Sequence, residues 1–201
     1  MTTTPALPEL LLVDRDGVLL EHVEPYILSA ADVVFCPGFT ELFRATALLG
    51  CPVAVVTNQS PLGRGLVGWD FVHRTNSRIA ALAASENHHD VTFHVCPHLP
   101  QDGCACRKPA PGLLLSAART AGVPPARTWM VGDHDTDMAA ARRAGCGTTV
   151  HLTSGRQRQP SPFADLEAGG LHEVARLLRT SGRRLPPGSG VERRPSEGNR
   201  P

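Results

Sequence analysis

Short apolar runs recur along the chain, each followed by a segment with helical spacing of its hydrophobic positions. Leu10–Val13 is continuously apolar and predicts a strand buried on both faces. Phe39–Leu49 carries apolar residues on one helical face and stops at Gly50, a residue suited to the left-handed end of a helix. Val53–Val56 predicts a second strand, followed by the glycine-bearing loop Asn58–Gly68 and a helix over about Trp69–Ala84. Val91–Val95 predicts a third strand, and Pro111 stands where a helix running to about Ala121 would begin. Thr128–Val131, Thr136–Ala144 and Thr148–Leu152 then read as strand, short helix and strand, and Leu171–Thr180 as a last amphipathic helix.

Strands that alternate with helices require crossover connections, which are right-handed and place helices on both faces of a parallel sheet. The predicted fold is α/β, a doubly wound, Rossmann-like parallel sheet occupying residues 1–180. The segment 181–201, SGRRLPPGSGVERRPSEGNRP, has too few apolar residues to offset its ordering entropy and is expected to be a disordered tail.

Composition narrows the class of partner. Of 201 residues 20 are basic and 19 acidic, so no strong field favours a polyanion or a membrane surface. No apolar run approaches the ~18 residues of a membrane span, and MTTTPALPEL lacks the basic and apolar regions of a secretory signal. A cytoplasmic protein is expected, without nucleic acid or membrane partners. It is expected to be monomeric, since no heptad or apolar stripe calls for a second copy. Nineteen of the basic residues are Arg and one is Lys, Lys108. A single Lys in such a background is either chance or the mark of a place where a compact ammonium fits and a planar guanidinium does not.

Ligands of doubly wound sheets bind beyond the carboxyl ends of the strands. The residues there are Asp14-Arg15-Asp16-Gly17 after the first strand and Thr57-Asn58-Gln59-Ser60 after the second. Arg107-Lys108-Pro109 and, after the fourth strand, Gly132-Asp133-His134-Asp135-Thr136-Asp137 complete the edge. Each group alone could be a turn or a helix cap. Together they supply what phosphoryl transfer needs. Asp14 and Asp133 could hold Mg²⁺, a hard cation that takes a few carboxylates and keeps its waters. Lys108 would neutralise charge on the transferring group, with Thr57 and the loop at Asn58 donating to phosphate oxygens. Asp14 would then be the carboxylate nucleophile, and Asp16 would protonate the leaving alkoxide and later activate water.

The four segments DRDGV, TN, K and GDxxxD resemble, in order, the motifs of the haloacid dehalogenase-like (HAD) phosphatase superfamily, over Leu10–His151. The resemblance implies Asp14 as nucleophile, Asp16 as acid and base, and Thr57 and Lys108 as phosphate binders. It also implies Mg²⁺ held by Asp14, Asp133 and the backbone carbonyl of Asp16, with Asp137 behind them and His134 at the rim. Only 42 residues separate Asp14 from Thr57, too few for an inserted cap domain, so loops around Glu21–Asp32, Ser60–Gly68 and the Cys/His segment must close the site.

That segment reads Cys96-Pro97-His98, five residues, then Cys104-Ala105-Cys106. Three thiolates and one imidazole make a closed tetrahedral set suited to structural Zn²⁺, here pinning the loop that carries Arg107 and Lys108. Cys36, Cys51 and Cys146 read as small buried residues. Two groups of HAD phosphatases resemble this zinc loop. TNQSPLGRG and RKPAPGLLLSA look like segments of those acting on heptose 1,7-bisphosphate, whereas the five-residue spacing from His98 to Cys104 is that of histidinol-phosphate phosphatases. The heptose side is favoured, with a sugar phosphate as the expected substrate and removal of its 7-phosphate as the reaction. Asn58, Gln59, Ser60, Arg64, Arg107 and His134 are then candidates to bind it. A non-catalytic phosphate-binding module is the alternative from another class, and the intact Asp14, Asp16, Lys108 and Asp133 speak against it.

Overall fold

In the computed structural model, which describes residues 5–181, six strands form one parallel sheet. They are β1 (Leu10–Val13), β2 (Val53–Asn58), β3 (Val91–Cys96), β4 (Thr128–Gly132), β5 (Thr148–Leu152) and β6 (Leu166–Ala168). Their order is β3-β2-β1-β4-β5-β6. The chain therefore runs outward from β1 to one edge, returns beside β1 as β4, and runs to the other edge. The crevice at such a reversal lies between the carboxyl ends of β1 and β4, where Asp14 and Asp133 follow their strands.

The helices are α1 (Phe39–Leu49), α2 (Ser60–Gly63), α3 (Trp69–Ser85), α4 (Gly112–Ala121), α5 (Asp135–Ala144) and α6 (Leu171–Ser181). Alternate side chains of the strands feed two separate cores. Leu11, Val13, Val53, Val55, Val131 and Val150 meet Phe39, Leu42 and Phe43 of α1, Ile79 of α3 and Val174 and Leu178 of α6. On the other face Leu10, Leu12, Ala54, Val56 and Met130 meet α4 and α5. On the helix side that second layer mixes alanines (Ala117, Ala118, Ala140, Ala141, Ala144) with Leu113, Leu114 and Met138. β1 is buried at all four positions because it is covered from both sides.

Besides three single 3-10 turns, at Ala30–Asp32, Pro100–Asp102 and Pro125–Arg127, one helix and one strand lie outside the expected elements. The single-turn α2 lies inside the expected loop, and β6 adds a three-residue edge strand. The remaining boundaries shift by one or two residues, with α5 starting at Asp135 and α4 at Gly112, while Pro111 precedes the first turn. The expected tail lies outside the described residues except for Ser181, which ends α6. Among the described residues no helix is long and apolar enough to cross a membrane.

The edge next to β6 is fastened by Asp165. Its Oδ2 accepts from the Thr149 backbone N–H at 2.9 Å and from Thr149 Oγ1 at 3.0 Å, and Arg142 of α5 donates to its Oδ1. Burial acts to raise the Asp165 pKa, but the Thr149 N–H and the Arg142 guanidinium outweigh it and hold the carboxyl below its ordinary 3.8. A depressed folded-state pKa gives stability that is present above the unfolded value and lost as pH falls through the folded one. Asp165→Ala is therefore expected to cost about 1–3 kcal/mol at pH 7, chiefly by stranding the Thr149 N–H. In thermal melts the gap between wild type and variant should narrow, by the part owed to the carboxylate charge, as the pH drops below about 4.

Candidate active site

A cleft of about 400 Å³ opens at the carboxyl ends of the strands. Asp14, Asp16, Thr57, Lys108, Asp133 and Asp137 lie in it, with Asn58, Ser60, Arg107 and His134 at its sides. The walls add His22, Glu24, Tyr26 and Ile27 from the segment after β1, Pro100 from the Cys/His segment, and Arg156 from the loop after β5. Of the loops expected to close the site, Ser60–Gly68 contributes only Ser60.

Lys108 is the centre of the arrangement. It is 3% exposed, and its ammonium donates to Asp14 Oδ1 at 2.7 Å and to the Val56 carbonyl at 2.8 Å, with Asp137 Oδ1 at 2.7 Å. Burial alone would lower its pKa, but Asp137 and Asp14 more than reverse this and keep it charged. Its backbone is fixed to β2, where the Asn58 side-chain amide donates to the Lys108 carbonyl and accepts from the Lys108 N–H, both at 3.0 Å. Asn58 thus spends its amide on orienting Lys108.

Three carboxylates face this one ammonium. Oxygen atoms of Asp14, Asp133 and Asp137 all lie within 4.8 Å of one another, and Asp137 Oδ2 is buried without a hydrogen-bond partner. Burial pushes the Asp14 carboxyl up to about 8; Lys108 pulls it down, and Asp137 and Asp133 add to the rise. Burial and Asp137 likewise raise Asp133. Crowded, under-compensated carboxylates with an orphaned oxygen fit a hard divalent cation. The backbone is shaped closely around them. Gly17 has φ +93°, and a Cβ there would come within 2.0 Å of Asp133 Oδ2, so neither the conformation nor the space admits a side chain.

Asp16, two residues from Asp14, has the opposite electrostatics. Burial would raise its pKa, but Arg15 and the Gln59 amide hold it below the ordinary carboxylate value. Gln59 is 3% exposed and turns inward, donating to Asp16 Oδ2 and to Thr57 Oγ1, both at 2.8 Å. It orders the floor and does not line the cleft. Arg64 is exposed after α2 and is also absent from the lining. Arg107 reaches Ser60 Oγ at 2.8 Å and the His98 carbonyl at 3.1 Å, and His134 caps α5 through Nδ1. Arg156 went unread in the sequence, although its S-G-R segment follows a strand as the other groups do.

Next to the cleft, Cys96, His98, Cys104 and Cys106 converge as a set that could hold a metal ion. Cys106 Sγ lies 3.2 Å from Cys96 Sγ and 3.4 Å from Cys104 Sγ, and His98 Nδ1 lies 3.5 Å from Cys96 Sγ and 3.2 Å from Cys106 Sγ.

Comparison with known proteins agrees with this geometry. A family model described as HAD-hydrolase-like matches residues 105–177. The D-glycero-beta-D-manno-heptose-1,7-bisphosphate 7-phosphatase of Pseudomonas aeruginosa is 36% identical over 172 residues, 84% of this chain and 97% of that protein. The enzyme of the same name from Escherichia coli K12 is 34% identical over 159 residues, 75% of this chain and 82% of that one. The crystal structure of D,D-heptose 1,7-bisphosphate phosphatase from B. bronchiseptica, complexed with magnesium and phosphate, superposes with a TM-score of 0.79 at 31% identity, covering 85% of this chain and 98% of that chain.

The raised carboxyls make a prediction about magnesium. Asp14 and Asp133 bind more protons when folded than unfolded, so their contribution to the stability of the metal-free protein falls as pH rises from about 4 to 8. A cation competes with those protons and binds better as they leave. The rise in melting temperature on adding Mg²⁺ should therefore be larger at pH 8 than at pH 6. Equal shifts at both would detach the metal from these carboxyls.

Proposed function

The chain belongs to the HAD-like hydrolases, in the family of the heptose-1,7-bisphosphate 7-phosphatases, and on that footing we propose that it hydrolyses the 7-phosphate of a heptose 1,7-bisphosphate through an enzyme-bound acyl phosphate. The observation that carries this reading is Asp14, seated on Lys108 at the floor of a polar cleft and flanked by two further carboxylates.

An oxygen of Asp14 forms a bond to phosphorus as the bond from phosphorus to the sugar oxygen breaks. Asp16 gives its proton to that oxygen, so the sugar leaves as an alcohol and not as an alkoxide. Water then attacks the aspartyl phosphate, Asp16 takes a proton from it, and the Asp14 oxygen departs. Inorganic phosphate is released and both carboxyls are restored. Lys108 and the Thr57 hydroxyl hold the phosphoryl oxygens throughout. Magnesium held by Asp14, Asp133 and the Asp16 carbonyl, with Asp137 beside them, would offset the charge of the phosphoryl group as it transfers. Arg107, which lines the cleft, would grip the distant phosphate with its planar fork, and Ser60 and His134 would meet hydroxyls. Arg64 has no part in this reading.

The Cys/His set is proposed to hold zinc. Zn–S bonds of about 2.3 Å in a tetrahedron put the sulfurs about 3.8 Å apart, and these three thiols stand 3.2, 3.4 and 3.7 Å from one another, so a small outward shift would seat the ion. All four positions would be filled by protein, which leaves none for catalysis. The metal would act as a fastener for Arg107 and Lys108, which directly follow Cys106.

Phosphate release measured with Mg²⁺ decides the substrate. Heptose 1,7-bisphosphate should be preferred over histidinol phosphate by about a hundredfold in kcat/KM, or about 2.7 kcal/mol of transition-state discrimination. The reverse preference would give the short Cys/His loop the deciding weight. Asp14→Asn should end turnover of either without lowering the melting temperature, and turnover that persists would exclude the acyl phosphate. Removing zinc with a chelator, with Mg²⁺ restored afterwards, should lower both the melting temperature and kcat/KM. If both are unchanged, the loop stands without a metal.

A further inference from the structure

Arg15 stands between the two reacting aspartates in sequence, yet its side chain is fully buried. A guanidinium is never deprotonated in a protein, and burying one is costly unless its donors are matched. Arg15 spends its fork on the neighbouring carboxylate: Nε donates to Asp16 Oδ1 at 2.7 Å and one terminal nitrogen to Asp16 Oδ2 at 3.0 Å. The other terminal nitrogen points to Asn76 Oδ1 of α3 at 3.4 Å, and Asn76 is itself buried. Gln59 adds a bond to Asp16 Oδ2 at 2.8 Å. Asp16 remains 27% exposed on its cleft side. Its carboxylate is thus clamped in its own plane from behind while its front faces the cleft.

A bidentate pair between adjacent residues is a directional device. Two parallel hydrogen bonds fix the rotation of a carboxylate as well as its distance, which one bond or a point charge does not. Proton transfer to a leaving oxygen depends on that rotation, because a displacement of about 1 Å can cost a hundredfold. The backbone alone does not set it, since a fixed main chain still leaves the two side-chain torsions of Asp16 to be chosen. We propose that Arg15, steadied by Asn76 of α3, is a positioning residue that sets the orientation of Asp16 for proton transfer to the leaving sugar oxygen. The inference rests on the proposed role of Asp16 as the acid.

The leaving group supplies the test. A sugar alkoxide departs only with a proton, whereas p-nitrophenolate is a stable anion that leaves without one. The parameter to read is kcat/KM, which reports the steps through transfer to Asp14 and omits the later attack by water. Arg15→Lys keeps the charge and loses the fork. It should lower kcat/KM about tenfold or more for heptose 1,7-bisphosphate and less than about threefold for p-nitrophenyl phosphate. Asn76→Leu keeps the fork and frees its far nitrogen; the same split is expected at smaller amplitude, and it decides the matter if Arg15→Lys does not fold. Combined with Asp16→Asn, neither change should add to the loss on the sugar substrate. Equal losses on both substrates, or none on either, would overturn the positioning role while leaving the phosphatase reading in place. An Asp16→Asn variant without the split would remove the acid assignment, and this inference with it.

Discussion

One buried ammonium holds the site together. Lys108 has three N–H donors, and three acceptors receive them: Asp14 after β1, Asp137 in α5 and the Val56 carbonyl of β2. The acceptors come from three parts of the chain that no local interaction would bring to one point. An Arg in its place would present a planar fork to acceptors arranged around a point, and its longer reach would carry the charge past them. The lone Lys among nineteen arginines therefore has a geometric cause. Its removal would leave Asp14, Asp133 and Asp137 facing each other with no fixed cation, the situation in which buried charges cost most.

The demand on Lys108 explains the irregular stretch between β3 and α4. A lysine buried from above must be delivered by a loop with a defined path. The reciprocal bonds with Asn58 fix its backbone, Arg107 braces on Ser60 and on the His98 carbonyl, and the four Cys/His ligand atoms gather immediately before it. The Gly112 N–H then reaches back to the Ala105 carbonyl at 3.0 Å, so the loop closes on the start of α4. The same economy appears at β1, where Asp14 and Asp16 are separated by a residue that serves the second of them.

The legible parts of the sequence were those governed by neighbours along the chain. Strands buried on both faces stand out as continuous apolar runs, and the chemistry-bearing residues stand out because they follow those runs. β6 escaped because only Ala168 of its three residues is buried, which leaves no periodicity to see. Gln59 and Arg64 sit in one motif with Ser60, yet α2 turns the first inward and leaves the second in solvent, a division set by a single helical turn. Asn76 carried no signal at all. Its role exists only because α3 packs a buried amide against an arginine 61 positions earlier. Arg15 lies inside DRDG, but nothing in that spacing distinguishes a buried clamp on Asp16 from an exposed turn residue.

Asp14 and Asp16 show how far environment separates identical groups two residues apart. Burial and two neighbouring carboxylates push Asp14 up to about 8, while Arg15 and Gln59 hold Asp16 below its ordinary value against the effect of burial. For the proposed chemistry these leanings are reversed, since the nucleophile needs its charge and the acid needs its proton. Each is corrected by what the site is built to receive. A divalent cation among Asp14, Asp133 and Asp137 favours the ionised nucleophile. A phosphoryl group arriving above Asp16 brings negative charge next to its exposed side and favours the protonated acid. Burial thus leans the nucleophile toward its neutral form and Arg15 leans the acid toward its charged one, and metal and substrate each push the carboxyl they meet the other way.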